Sequence, residues 1–200
     1  MKRSTVSVCF GSAFVTAIVL ASVAAGRADD RGDESDSRIQ QGFRIARANG
    51  ISLDLKGKNP ALVGLGSYIV NAHAVCADCH SCPTYEAGHN PYGPPFGPPG
   101  GGDGKLNATN YLAGGVLFAP PGVTSANLTP AKKGGQPEQG NSFAEFEHLM
   151  RTGHEANGDI LQVMPWPIYR NMTERDLRAI YEFLSAIPPA QPGVCVAPGQ

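Results

Sequence analysis

Cys76-Ala77-Asp78-Cys79-His80 is the stretch whose residue types and spacing point most directly to a chemistry. Two thiols three positions apart, followed at once by a histidine, form a C-x-x-C-H, the attachment sequence for c-type haem. Each thiol can add to one vinyl group, and the adjacent imidazole then ligates the iron. A bare C-x-x-C has other readings. Half a zinc site would want a second C-x-x-C or a histidine pair at ligand spacing, and His89, His148 and His154 stand alone in unlike contexts. A thioredoxin-like pair should open a helix after a buried strand, whereas the residues before Cys76 read as a helix. A structural disulfide is the third alternative. The adjoining His80 favours one covalent haem c held by Cys76 and Cys79.

An electron-transfer haem needs a second axial ligand. Met150 sits on the apolar stripe of a helix, where core packing accounts for it. Met172 adjoins a helix N-cap, where a staple contact accounts for it. Met164 precedes Pro165 in a Pro-rich turn between two helices, and the proline biases it to an extended, stiffened backbone. Met164 remains a candidate ligand, with core packing or another ligand as its alternatives. His73 lies close to the attachment side; His148, His154 and His89 remain weaker competitors. Trp166, Phe143, Phe146 and Tyr169 could line a haem or simply build a core. Arg151 and Arg170 could face propionates or lie solvated at the surface.

The chain has 200 residues, a length that suits one domain. Lys2 and Arg3 precede an apolar stretch from about Val6 to Ala25, and small residues follow. This is the pattern of an export signal over 1–28, with cleavage near 25–28. An uncleaved membrane anchor is the alternative, since the stretch approaches the length of a spanning helix. The expected location is the periplasm, where covalent haem attachment on the oxidising side of a membrane is in keeping. Of five cysteines, Cys9 would leave with the signal. Cys82 and Cys195 then remain, and spare cysteines in an exported protein usually pair. Two free thiols, or Cys82 as an iron ligand, are the other readings. A Cys82–Cys195 disulfide would close a loop worth about 4–5 kcal/mol in chain-entropy terms. Removing Lys2, Arg3 and Arg27 leaves 13 basic against 17 acidic residues, a net −4 that argues against a nucleic-acid partner.

Several elements must position these groups. Asp29 to Ser37 is an acidic, polar lead-in, and in the segment to Leu55 Ile39, Phe43 and Ala46 could form one face of a short helix. Asn59-Pro60 starts a helix whose apolar residues Leu62, Leu65, Ile69 and Ala72 keep helical spacing and which leads into Cys76. Gly64 and Gly66 inside it cost about 1 kcal/mol each against Ala, which a close helix crossing would justify. Pro91 to Lys105 is too rich in Pro and Gly for a regular element and reads as a loop wrapping the haem pocket. Leu106 to Gly140 stays irregular around an apolar patch at Val116-Leu117-Phe118. Ser142-Phe143-Ala144-Glu145 is a capping box that opens a helix ending at Gly153, and Thr173 opens the last helix, which stops before Pro188-Pro189.

With those elements placed, the chain resembles the single-haem, class I c-type cytochromes. The resemblance rests on Cys76-Ala77-Asp78-Cys79-His80 behind an amino-terminal helix, on Leu161-Gln162-Val163-Met164-Pro165-Trp166-Pro167 in a later loop, and on Met172-Thr173-Glu174-Arg175-Asp176-Leu177 before a terminal helix. Gly64 to Ala72 and Asn127-Leu128-Thr129-Pro130 are similar to cytochrome subunits that accompany periplasmic dehydrogenases. Many of those carry three C-x-x-C-H motifs, and this chain has one. The resemblance implies an all-α, class I cytochrome c-like fold carrying a long Gly/Pro-rich loop insertion, with the first and last helices crossing near the haem. It implies His80 and Met164 as the axial iron ligands. It also implies an electron carrier rather than an enzyme, passing electrons from a periplasmic dehydrogenase to a cytochrome or oxidase. The organisation expected is a signal over 1–28, an extension over 29–55, the monohaem domain over 56–190 and a tail over 191–200. The alternative is a haem enzyme, peroxidase-like or sulfur-compound-oxidising, with an open or displaceable sixth ligand. Membrane association is expected only if the amino-terminal segment is retained.

Overall fold

The computed structural model describes residues 34–197. The expected signal and its cleavage region lie outside the described residues. Contacts divide the chain between residues 37 and 38. Of the first unit only 34–37 are described, as the opening turn of a helix; the second unit, from 38 onward, holds the core and the site.

Three helices build the core. Helix α1 covers 34–48, α2 runs Pro60–Ala72 and α6 runs Glu174–Ala186. Asn59 caps α2 by accepting from the Ala61 amide at 3.0 Å, and Pro60 sits where no intrahelical N–H is needed. The two α2 glycines face different neighbours. A Cβ on Gly64 would come within 2.7 Å of the Phe43 ring and 2.8 Å of Ile39 on α1. A Cβ on Gly66 would run into the Ala179 carbonyl oxygen and lie 2.7 Å from the Phe183 Cβ on α6. Helix α2 is therefore clasped from two sides, and the expected close crossing occurs twice. Ser67, also buried, donates to the Gly42 carbonyl at 2.7 Å across the first crossing. Val63, Val70, Leu177, Phe183 and Leu184 are fully buried between these helices. Each such side chain stabilises the fold by roughly 1.5–3 kcal/mol. Ile39, Phe43 and Ala46 all pack in this core, so the segment expected as an extension over 29–55 belongs in part to the folded body.

Short helices carry the rest: α3, Cys76–His80; α4, Phe143–Thr152; α5, Trp166–Tyr169. The Ser142 capping box is formed in both directions, and Gly153 ends α4 at φ 72°, a conformation that favours glycine. Thr173 caps α6 by accepting from the Asp176 amide at 3.1 Å.

Alongside the helices lies a small sheet that the all-α expectation did not include. Its strands are β1, Val116–Phe118, β2, Val123–Thr124, and β3, Cys195–Val196, in the order β2-β1-β3. β1 runs antiparallel to β2 and parallel to β3, pairing Val116 with Cys195 and Leu117 with Val196. Cys82 and Cys195 form the expected disulfide. The segment expected as a tail over 191–200 thus contributes a strand. Gly193 lies so close to Cys82 and Gly115 that a Cβ would meet the Cys82 carbonyl oxygen.

Residues 91–105 form no regular element, as their composition predicts. The loop is closed at its neck by the Tyr85–Leu106 bridge and braced internally. The Asn90 side chain donates to Phe96 O at 2.8 Å, and His89 pairs with Asp103 at 2.7 Å.

Candidate functional site

The chain folds around a cavity of about 870 Å³, inside the ~300–1,000 Å³ range of small-molecule and cofactor pockets. Val75, Cys76, Cys79 and His80 form one side of its lining. Helical spacing explains the grouping, because positions three and four apart share a face. Val75, just before the helix, is 59 % exposed and holds φ 46°, a left-handed conformation that a β-branched residue seldom adopts. Such outliers cluster at functional sites.

The His80 Nδ1 lies 2.8 Å from the Ala126 carbonyl oxygen. A carbonyl only accepts, so Nδ1 carries the hydrogen and Nε2 keeps a free lone pair. Burial pulls the His80 pKa below its usual value, and the Ala126 bond opposes that only in part. The ring is neutral at pH 7 and suited to ligate a metal. Its backbone is held too: Gly114 N donates to His80 O at 2.7 Å and Leu112 N to the Ser81 Oγ at 2.9 Å.

Both cysteines of the motif are free thiols. Burial pushes Cys76 up to about 12, and burial with the Asp78 charge raises Cys79. A thioredoxin-like pair needs the opposite, a depressed pKa that populates thiolate. Among the described residues, no group of three or more His, Cys, Asp or Glu side chains is gathered to hold a metal ion.

A second part of the lining comes from the turn after α4 and from α5: Leu161, Val163, Met164, Pro165 and Tyr169. Of Met150, Met164 and Met172, Met164 alone lines the cavity. Met150 is buried in the core and Met172 packs against it. Tyr169 ties the two sides together, its hydroxyl donating to Ala74 O at 2.7 Å, two residues before Cys76.

The histidines separate in the same way. His148 and His154 line the cavity, whereas His73 packs edge-on against Tyr68 and His89 pairs with Asp103. Trp166 covers Gly153, and Phe143 and Phe146 stack around Tyr181, so of the four aromatic candidates Tyr169 alone faces the cavity. Arg151 is engaged by Glu147 at 3.0 Å and by the carbonyls of Arg170 and Met172. Neither arginine lines the cavity, nor does any residue of the 91–105 loop, which corrects the expectation that this loop wraps the pocket. Sequence reading did not single out Ala126 or the cavity-lining Glu138 and Asn141. The first acts through its backbone, which no side-chain pattern signals.

No protein-family model matches the chain. The chain is similar to a curated relative, the cytochrome c subunit of a quinone alcohol dehydrogenase from Gluconobacter oxydans (strain 621H). The two are 25% identical over 162 residues, which cover 76% of this chain and 28% of the relative. The match thus spans a little over a quarter of that relative's length.

Proposed function

We propose that this protein is an electron-transfer c-type cytochrome, with one haem c covalently held by Cys76 and Cys79 and ligated axially by His80 and Met164. One observation carries the reading: a C-x-x-C-H helix and a methionine on a proline-stiffened turn line the same cofactor-sized cavity. The residues present fit the group. The lining is mostly apolar, the thiols are unpaired, and His80 presents a free Nε2. A haem bound there would supply one-electron chemistry between Fe(II) and Fe(III). The chain's own part is to hold and orient it. The Ala126 carbonyl fixes the His80 tautomer and raises its basicity, while Met164 offers a soft thioether that favours the reduced metal. Cys82, bound to Cys195, is not available as a ligand.

The helical core with crossing α2 and α6 is consistent with a class I cytochrome c-like fold, to which a small sheet and the 91–105 loop have been added. Similarity to a dehydrogenase's cytochrome subunit supports a role between a periplasmic dehydrogenase and a cytochrome or oxidase, without a reaction of its own. Intact mass measurement of the exported protein tests this: mature chain plus one haem is expected. Unmodified Cys76 and Cys79 would end the proposal. The oxidised protein should also show the weak far-red band of a thioether-bound ferric haem.

A further inference from the structure

One cavity residue has no part in tethering or ligating a haem. Glu138 is a half-buried residue of the pocket lining, and its Oε2 accepts at 2.7 Å from the Nδ2 of Asn141, which also lines the pocket. The backbone goes out of its way to put it there. Glu138 and Gln139 are consecutive left-handed residues, φ 49° and 60°, and neither is glycine. Surrounding structure must impose such a pair. It does so through Leu128 O and Thr129 O, which accept from the Glu138 and Gln139 amides at 3.2 Å each, and through the Gln139 side chain, which donates to Thr129 O at 2.9 Å. The 126–129 segment therefore holds two things at once, His80 through Ala126 and Glu138 through Leu128.

The charges facing Glu138 do not favour its anion. The cavity is lined by no lysine or arginine among the described residues. Its titratable neighbours in the lining are Glu145 and His148 from α4, His154 and Glu155 from the next turn, Tyr169 from α5, and the α3 groups Cys76, Cys79 and His80. Burial raises the Glu138 pKa, the Asn141 bond opposes this, and the charge of Glu155 adds to it. A carboxyl in the lining of the same cavity responds to a unit change of charge inside it.

Resting on the haem reading, we propose that Glu138 is a redox-linked proton site: it binds a proton when the cavity gains an electron and releases it when the electron leaves. The balance is one electron from a one-electron reductant, such as a reduced redox protein, and one proton from solvent, converting Fe(III) with a carboxylate to Fe(II) with a carboxylic acid. No other bond forms or breaks. The carrier then moves a hydrogen equivalent, not an electron alone. Oxidation adds positive charge and lowers the Glu138 pKa; reduction raises it. Between those two pKa values the midpoint potential must fall as pH rises.

The test is a spectroelectrochemical titration of the purified holoprotein across pH, using soluble mediators. The expected slope in that window is about −59 mV per pH unit, the one-electron equivalent of a tenfold change in proton activity. Glu138→Gln should abolish the slope and leave the haem spectrum unchanged. Glu155→Gln, a change at an exposed turn, should shift the window to lower pH, which keeps the test decisive if the first variant does not fold. A flat wild-type profile, a slope that survives in Glu138→Gln, or a window unmoved in Glu155→Gln would each overturn the assignment. Absence of covalent haem would instead overturn the underlying functional reading.

Discussion

The two sides of the cavity are built in opposite ways. The side bearing Cys76, Cys79 and His80 is tied to distant parts of the chain. His80 bonds Ala126 and Gly114, Ser81 bonds Leu112, and Cys82 is joined to Cys195. Ser81, Cys82 and Leu112 are at most 1 % exposed. The side bearing Met164 relies on neighbours. Hydrogen bonds of 154–165 reach no further than Thr152 and Tyr169: His154 with Thr152, Glu155 with Asp159, Leu161 with Gly153, Met164 with Trp166; the Tyr169 hydroxyl adds a long-range tie to Ala74. Residues 154–160 are all exposed, and Ile160 and Val163 leave apolar surface there. A covalent tether needs a fixed anchor, whereas a labile thioether ligand tolerates a wall that opens locally. Were a haem held as proposed, exchange at its iron would begin on the methionine side.

Six variants probe that contrast, the last of them across pH. The largest effect should follow Cys76→Ser with Cys79→Ser, which should leave no covalently retained haem after denaturing extraction. Next comes the anchor. Removing both Cys82 and Cys195 should cost about 2–5 kcal/mol in denaturant unfolding, and the native cysteines should resist thiol reagents until reduced. If a Leu161→Ala change costs as much, the asymmetry is not real. Met164→Ala should cost less stability than loss of the disulfide, lower the midpoint potential and admit added imidazole to the iron. An unchanged potential would remove Met164 as ligand. Tyr169→Phe deletes the brace between the two sides and should cost about 0.5–1.5 kcal/mol, measured by thermal unfolding. Faster imidazole binding should accompany it if the brace restrains the methionine side.

The smallest effect concerns acid. Ser142 hydrogen bonds hold the Glu145 pKa below its usual value. A depressed folded-state value stabilises above the unfolded pKa of about 4.3 and is lost as pH falls through the folded one. Glu145→Gln should therefore flatten stability slightly between about pH 5 and pH 3, leaving the neutral-pH haem spectrum untouched. A loss of stability in the variant confined to acid, with none at neutral pH, would have the wrong sign.

The helix ends were legible in local patterns. Asn59-Pro60, the Ser142–Glu145 box, Thr173 and Gly153 sit at helix ends where capping requires them. The cost of Gly64 and Gly66 signalled close helix contacts, because nothing else repays glycine inside a helix. The sheet was not legible. Strands of three and two residues carry no alternation to read, and Val116 finds Cys195 only after the whole chain has folded between them. The 91–105 loop misled for a related reason: Pro and Gly content reports that a segment is irregular, never what it lies against.

Sequence by itself determined which groups a few neighbouring residues bring together, since helical spacing alone puts two thiols and an imidazole on one face. Only the tertiary structure decided which carbonyl receives the His80 hydrogen, which methionine meets the cavity, and that Glu138 lies inside it. Those choices depend on backbone atoms and on segments brought together from far apart, and neither leaves a periodic trace in the order of residues.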